Sequence, residues 1–179
     1  MKDKERLKQI LLEKSVISGR EFKLASGKTS NFYVDARITT LHPEGAYLCG
    51  KIFLEMLKDF DVEAVGGYSI GADPIVTSIA VLSHQAGNPL PAFIIRKEEK
   101  THGTGKMIEG NFPENGTVAI FDDVVTSGGS ILKGAAQVEK QGGKVAVIMS
   151  VIDREEGGRE IMEAAGYTFL SIFTKKDLS

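Results

Sequence analysis

The sequence has one cysteine, and it has no hydrophobic run long enough to cross a membrane. Because Cys49 stands alone, an internal disulfide and a cysteine-rich metal site are both excluded. The longest apolar segments, such as residues 145–152, fall far short of the roughly 20 residues that span a bilayer. Residues 1–15 are charged and amphipathic and show no signal-peptide pattern, so we expect a cytoplasmic protein without a membrane partner.

The sequence also has no large excess of positive or negative charge. The 22 basic and 24 acidic residues leave a formal net charge of −2 at pH 7. This balance provides no general attraction to nucleic acid, and we expect no nucleic-acid partner. With 179 residues, of which 42% are apolar, the chain suits a single compact domain.

Hydrophobic spacing divides the chain into a small N-terminal lobe, about residues 1–40, and a core of about residues 60–175. It predicts a first helix at residues 4–14, two extended pieces within 21–37, and a second helix from Pro43 to about residue 59. Beyond these, apolar strands are predicted at 62–67, 92–96, 117–122, 144–152 and 168–173, with helices at 73–85, 129–141 and 155–165. This alternation predicts an α/β fold with a mainly parallel sheet flanked by helices.

The segment "IFDDVVTSGGS", residues 120–130, ends a predicted strand with two acids and then supplies hydroxyls and glycines before a helix. Backbone amides at a helix N-terminus favour an anion such as phosphate, and glycines let the backbone approach it closely. The carboxylates of Asp122 and Asp123 suit sugar hydroxyls or a hydrated divalent metal ion. An acid pair alone would indicate an ordinary strand end, but this ordered combination predicts a pocket for a ribose 5-phosphate.

Two other phosphate-binding motifs are excluded at the glycines of this chain. A P-loop requires Lys and then Ser or Thr after its last glycine, and Gly129 is followed by Ser130 and Ile131. A dinucleotide fingerprint requires G-x-G-x-x-G, and "GGYSIG", residues 66–71, lacks that spacing.

The ten residues "FDDVVTSGGS", 121–130, resemble the binding motif for phosphoribosyl pyrophosphate (PRPP) of the type I phosphoribosyltransferases. The resemblance implies the α/β fold of that family, with a mainly parallel sheet and a small N-terminal lobe. It also implies Mg²⁺ as cofactor, carried by PRPP through water near the two acids, without direct protein ligands. The PRPP-binding residues that it implies here are Asp122, Asp123, Val124, Val125, Thr126, Ser127, Gly128, Gly129 and Ser130.

Basic side chains gather after another predicted strand, in residues 96–106. Cations beside a departing pyrophosphate stabilise the negative charge that develops on it, and a closing loop excludes water. The pattern R-K-x-x-K-x-H-G resembles the catalytic loop of the orotate phosphoribosyltransferases. The resemblance implies a homodimer in which this loop reaches the neighbouring subunit's site. It implies pyrophosphate contacts from Arg96, Lys97, Lys100 and His102, the last two being catalytic together with Asp122 and Asp123.

Two further segments resemble the same family and indicate the acceptor base. Residues 22–37 are similar to its signature F-x-L-x-S-G-x-x-S-x-x-Y-x-D-x-R, which implies that Phe32 and Tyr33 lie along a pyrimidine. The segment "IDREEGG", residues 152–158, is similar to the one whose arginine binds the carboxylate of orotate, which implies that role for Arg154. Thr126 stands at a family position that also contacts orotate.

One position departs from the family pattern. Many members carry a lysine before the Ser-Gly of the signature, and that lysine helps to bind PRPP, whereas this chain has Ala25. We therefore expect a weaker affinity for PRPP, with Lys28 as a candidate substitute.

The sequence thus predicts an enzyme that transfers the phosphoribosyl group from PRPP to orotate, giving orotidine 5′-monophosphate and pyrophosphate in pyrimidine (UMP) biosynthesis. Two alternatives stay open. A purine phosphoribosyltransferase is disfavoured by the basic loop, Arg154 and the N-terminal signature. A transcriptional regulator that senses PRPP or a base on the same fold is disfavoured by the retained catalytic cations and the lack of a basic recognition helix.

Overall fold

The computed structural model describes residues 2–23, 29–97 and 107–179. Within these ranges the helices are α1 (Lys2–Lys14), α2 (Arg37–Thr40), α3 (Pro43–Leu57), α4 (Asp73–Gln85), α5 (Gly129–Lys140) and α6 (Gly158–Ala164), with a final 3-10 turn at Lys175–Leu178. The strands are β1 (Val16–Lys23), β2 (Thr29–Val34), β3 (Ala64–Tyr68), β4 (Ala92–Ile95), β5 (Ile108–Gly110), β6 (Thr117–Val125), β7 (Lys144–Asp153) and β8 (Phe169–Thr174). None of the helices so described combines the length and the apolar character that a membrane crossing requires.

Strands β3 to β8 form one sheet in the order β5-β4-β3-β6-β7-β8. Among these described strands β5, at the edge, pairs antiparallel with β4, and the other pairs run parallel. In the interior of the sheet, Val118 of β6 pairs with Ala64 of β3 on one side and with Val145 of β7 on the other. The predicted α/β fold with a mainly parallel sheet is therefore confirmed.

Helices cover the sheet on both faces, as the alternating side chains of β6 show. Ala119 and Phe121 join an apolar cluster with α1, α3 and α4, whereas Val118 and Ile120 join a second cluster with α5 and α6. Phe121 meets Phe53 of α3 edge to face, with ring centroids 5.0 Å apart. Because both faces bury apolar side chains, β6 is an almost continuous apolar run until its last residues, where polar groups can appear.

The N-terminal segment shares this core. Leu7, Ile10 and Leu11 of α1 are at most 1% exposed and belong to the cluster that contains α3 and α4. Strands β1 and β2 form an antiparallel hairpin in which Val16 pairs with Val34. The two predicted extended pieces are thus present, although β1 begins earlier, at Val16. Ala25, Lys28 and most of the predicted turn lie outside the described residues.

Some element boundaries differ from the predictions. Strand β6 continues beyond residue 122, because its pairing with β7 extends to Val125 and Asp153. Helix α6 begins at Gly158 and not near residue 155, because Glu155 and Gly157 have positive φ angles of 54° and 92°. Hydrophobic spacing does not predict α2 or β5, since elements this short show no period.

The lone cysteine is a packing residue of α3. Cys49 is fully buried, and burial raises the pKa of its thiol to about 12. Because the thiolate is the reactive form of cysteine, this thiol is a poor nucleophile at neutral pH.

Candidate active site

Asp122 and Asp123 lie near the carboxyl end of β6, at the point where its pairing with β3 stops. The last residue paired with β3 is Phe121, while pairing with β7 continues, with Asp122 opposite Ser150. Each carboxylate accepts a hydrogen bond of 2.9 Å from the backbone N–H of the next residue, Asp122 from Asp123 and Asp123 from Val124. These bonds orient both carboxylates at the edge of the sheet.

The residues after β6 form a turn, the hydroxyl loop (residues 126–130), that leads into α5. Gly128 has a φ angle of 76° at the start of the helix, a left-handed value that glycine adopts without steric cost. The side chains of Thr126, Ser127 and Ser130 are exposed. The loop surrounds a cavity of about 70 Å³ that Asp122, Val124 and Val125 also line. Helix amides and hydroxyls around so small a space suit one phosphate group.

Beside the hydroxyl loop, a cleft of about 260 Å³, the acid cleft, opens at the two carboxylates. It joins the N-terminal hairpin to the carboxyl ends of β3, β4 and β6 and to the start of α5. The structure thereby brings together segments that are far apart in the sequence. The acid cleft is lined by Tyr33, Val34, Asp35, Arg37, Tyr68, Ser69, Ile70, Gly71, Lys97, Asp122, Asp123, Val124 and Ser130.

The two described cations of the predicted basic loop, Arg96 and Lys97, differ in whether they line the acid cleft. Lys97 lines the acid cleft. Arg96 lines a neighbouring groove that Lys97 also lines, and Nη1 of Arg96 is 3.1 Å from Oε1 of Glu109 on β5. Lys100 and His102 lie outside the described residues, so their catalytic roles stay predictions.

Charge in the acid cleft is only partly compensated. Burial, and after it the neighbouring carboxylate of Asp123, raise the pKa of Asp122 well above its ordinary value, while Lys97 acts in the opposite direction. Burial and then Asp122 also raise the pKa of Tyr68, whose ring centre lies 5.8 Å from Nζ of Lys97. An incoming cation or hydroxyl donor would relieve this excess of negative charge.

Gly71 lies in the turn between β3 and α4 and leaves room for the second acid. A Cβ atom at Gly71 would be 2.3 Å from Oδ1 of Asp123, far inside van der Waals contact. In the same turn Oγ of Ser69 donates to Oδ2 of Asp73 at 2.9 Å, which ties the turn to α4. Any side chain at Gly71 would therefore displace Asp123 or this anchored turn.

Arg154 follows β7 and lies beside the start of the hydroxyl loop. Its backbone N–H donates to the carbonyl oxygen of Val125 at 2.9 Å. Its side chain is 5% exposed, and Nη2 is 2.8 Å from Oε1 of Glu156. Arg154 does not line the acid cleft as the described residues form it, so it is close to the hydroxyl loop but separate from the two acids.

Gly158 packs the segment after Arg154 against the hydroxyl loop. A Cβ atom at Gly158 would lie 2.5 Å from the carbonyl oxygen of Thr126 and 3.1 Å from the amide nitrogen of Gly128. Both are backbone atoms, which cannot move aside as the end of a side chain can. The two segments therefore hold each other in position.

The predicted base-binding pair lies on β2. Tyr33 lines the acid cleft. Phe32 pairs with Ser18 in the hairpin, and its backbone alone is described. The hairpin thus brings the end of the N-terminal signature to the two acids.

Two cleft residues, Asp35 and Arg37, were not predicted as site residues. Arg37 donates to both carboxylate oxygens of Asp35, at 2.9 and 3.0 Å, and these bonds lower the pKa of that carboxyl. The D-x-R that ends the N-terminal signature was the signal that could have identified them.

The two acids could hold a metal ion only with help from a ligand. Among the described residues, no three His, Cys, Asp or Glu side chains converge closely enough to bind one. Mg²⁺ is commonly held by one or two carboxylates together with phosphate oxygens and water. Asp122 and Asp123 at an open cleft fit that arrangement.

Comparison with known proteins covers nearly the whole chain. No protein-family model matches it. The orotate phosphoribosyltransferase of Aquifex aeolicus is 42% identical over 180 aligned positions, which cover 99% of this chain and 98% of that protein. The orotate phosphoribosyltransferase of Nostoc sp. PCC 7120 is 43% identical over 159 residues, 88% of this chain and 77% of the relative.

Solved structures show the same likeness. The Mycobacterium tuberculosis orotate phosphoribosyltransferase in complex with Fe(III) dicitrate has a TM-score of 0.87 at 36% identity, over 99% of both chains. The same enzyme in complex with PRPP has a TM-score of 0.83 at 34% identity, over 98% of both chains. The fold is thus that of a phosphoribosyltransferase. Within that class, the chain belongs to the orotate phosphoribosyltransferase family.

We expect Gly71→Ala to lower kcat/KM for orotate phosphoribosyltransferase activity about 100-fold, because a shift of about 1 Å in a catalytic group can cost that much. The added methyl group would displace the carboxylate of Asp123, which it would approach to 2.3 Å. Steady-state kinetics measure the loss. In an Asp123→Ala background the same change should cause no further loss. An equal loss there would show that the methyl group acts elsewhere.

We expect Asp122→Asn to become more stable relative to the wild type as the pH rises. Since the pKa of Asp122 is raised in the folded protein, its contribution to stability is fully present below the ordinary value of 3.8 and is lost as the pH rises through the folded value. Asparagine does not titrate and escapes this loss. Urea unfolding of both proteins from about pH 4.5 to 7.5 measures the difference in the free energy of unfolding, and a pH-independent difference would contradict the expectation.

Proposed function

We propose that this protein transfers the phosphoribosyl group of PRPP to orotate, giving orotidine 5′-monophosphate and pyrophosphate in pyrimidine biosynthesis. The observation that carries the proposal is the junction of the hydroxyl loop with the acid cleft, where Asp122 and Ser130 line both spaces. A phosphorylated ribose likewise presents a phosphate and a pair of hydroxyls in one molecule. We treat residues 1–179 as one phosphoribosyltransferase domain, in keeping with the core that α1 shares with α3 and α4.

In this proposal the hydroxyl loop binds the 5′-phosphate and the acids bind the ribose. Amides at the start of α5 and the hydroxyls of Thr126, Ser127 and Ser130 donate to the phosphate oxygens. Asp122 and Asp123 accept hydrogen bonds from the ribose hydroxyls. When the anomeric C–O bond breaks, positive charge develops on the ribose ring, and these carboxylates stabilise it. The chemistry needs no covalent nucleophile, only positioning and electrostatic stabilisation.

In this proposal the basic loop binds the leaving group, pyrophosphate. Pyrophosphate gains negative charge as the bond breaks, and cations beside it stabilise that charge. Lys97 supports this assignment because it already lines the acid cleft. We assign Arg96, Lys100 and His102 to the same pyrophosphate on the family resemblance, and Arg96 would have to exchange its contact with Glu109 for the ligand.

The cofactor in this proposal is Mg²⁺, which neutralises charge on the pyrophosphate when it is bound. Asp122 and Asp123 would hold its water ligands. Two observations support this role: both carboxylates line the acid cleft, and burial and then the neighbouring Asp123 raise the pKa of Asp122, an effect that a cation would offset.

The acceptor base lies, in this proposal, between the N-terminal hairpin and the segment after β7. Tyr33 supports it from the acid cleft, beside Phe32. Thr126 is exposed on the hydroxyl loop, and Arg154 is tied to the start of that loop through Val125. A guanidinium fork matches the planar carboxylate of orotate.

We also propose a homodimer, with its interface at an apolar groove of about 810 Å³ between α2, α3 and α4. Leu41, Tyr47 and Val81 line this groove and are 69%, 49% and 54% exposed. Arg37 and Ile70 line both the groove and the acid cleft, so a second copy seated there would reach the rim of the site. Such a copy could supply its basic loop to the neighbouring cleft.

A cytoplasmic location, which we propose as well, is in keeping with the buried thiol of the lone cysteine.

The proposed activity is tested by following orotate absorbance with PRPP and Mg²⁺, beside reactions with adenine, hypoxanthine, guanine and uracil. We expect orotate alone to be consumed, and we expect no turnover with EDTA or in Lys100→Ala. Arg154→Ala should raise KM for orotate about 10- to 100-fold, because a hydrogen bond to a charged group contributes about 1.5–3 kcal/mol. Turnover of a purine, or tight PRPP binding without turnover of any base, would contradict the proposal.

The dimer is tested by Val81→Glu, which would bury a carboxylate in the proposed interface. We expect a monomer by analytical ultracentrifugation and a loss of activity, because the neighbouring basic loop would be missing. Leu12→Glu is the matched control, since Leu12 is a 42% exposed apolar residue on α1, outside the groove. A dimeric Val81→Glu, or a fully active monomer, would overturn the interface assignment.

A further inference from the structure

The side chain of Arg154 is buried and is paired with Glu156. Nη2 of Arg154 lies 2.8 Å from Oε1 of Glu156, and the two side chains are 5% and 33% exposed. Desolvating a charged guanidinium is unfavourable unless an anion stays close to it. In the free protein Glu156 is thus a counter-ion that makes the buried position of Arg154 tolerable.

The residues around this pair are held by separate contacts. Asp153 is buried; its Oδ1 accepts from the backbone N–H of Glu155 at 2.8 Å, and its Oδ2 accepts from Nε of Arg159 at 3.2 Å. Glu155 in turn lies 2.9 Å from Nζ of Lys176. The backbone that carries Arg154 is therefore braced on both sides.

The side chain of Glu156 reaches solvent, because it is 33% exposed. Gly157 has a φ angle of 92°, and a Cβ atom built on it would meet nothing within 4 Å. Glu156 thus lies beside an open space at Gly157, although Gly158 beyond it is packed against the hydroxyl loop. Its side chain can leave Arg154 without disturbing the packing that holds the guanidinium in place.

We propose that Glu156 is an internal substitute for the carboxylate of the acceptor base and is exchanged for it when the base binds. Orotate brings one carboxylate to Arg154 while Glu156 moves its own into water, so the guanidinium is paired before and after binding. This inference rests on the proposed function, in which Arg154 binds the orotate carboxylate.

The exchange makes Glu156 a determinant of specificity. A pyrimidine without a carboxylate, such as uracil, offers nothing that could replace Glu156 at Arg154 and leaves the guanidinium covered. Orotate must outcompete Glu156, which weakens its binding but excludes bases that lack the carboxylate. An alternative role, in which Glu156 stays bound and orients Arg154, predicts the opposite change in affinity on its removal.

The test compares Glu156→Gln with Glu155→Gln, neighbouring changes that each remove one negative charge. We expect Glu156→Gln to lower KM for orotate about five- to tenfold at saturating PRPP, because a weaker neutral hydrogen bond replaces the charged pair. KM for PRPP should stay the same. Glu155→Gln should leave KM for orotate unchanged, since Glu155 pairs with Lys176 and not with Arg154.

A higher KM for orotate in Glu156→Gln would establish the orienting role and overturn the exchange, and so would a KM equal to that of the wild type. If Glu156→Gln does not fold, Glu156→Asp keeps the charge on a shorter side chain and should lower KM for orotate by a smaller factor. Arg154→Ala separates this test from the proposed function. A normal KM for orotate in Arg154→Ala would refute the carboxylate assignment itself, whereas a raised KM there with no decrease in Glu156→Gln would refute the exchange alone.

Discussion

The unequal pairing of β6 on its two sides is the constraint on which the site depends. Pairing with β3 stops at Phe121, but pairing with β7 continues to Val125. The backbone of the two acids is therefore held from one side and open to a ligand on the other. Because Phe121 packs edge to face on Phe53 of α3, the strand cannot shift along its axis without disturbing the core.

The second constraint on the site is its charge balance, because charged side chains there are paired with one another in the absence of a ligand. Arg37 is paired with Asp35 and Arg154 with Glu156, while burial and then the neighbouring carboxylate of Asp123 raise the pKa of Asp122. A ligand that brings a cation, hydroxyl donors and a carboxylate can replace or relieve each of these. With such an arrangement the complete set of substrates binds more tightly than any part of that set.

Much of the fold and part of the site could be predicted from the sequence. Short apolar strands separated by helical segments indicate a covered parallel sheet, and α4 begins and ends at the predicted residues. The acids and the hydroxyl loop were recognisable because their chemistry lies within eleven consecutive residues, 120–130. The roles of Gly71 and Gly158 were not, because each depends on the space that a side chain would need beside residues distant in sequence.

The sequence by itself determined the order of helices and strands, the phosphate-type turn after β6 and the family likeness, because local spacing and contiguous side chains carry that information. Only the tertiary structure decided that the N-terminal hairpin meets the acids, that Lys97 lines the acid cleft while Arg96 pairs with Glu109, and that Glu156 pairs with Arg154. The physical reason is that parallel pairing places the carboxyl ends of separate strands at one edge, and the direction of each side chain there follows from packing across that edge.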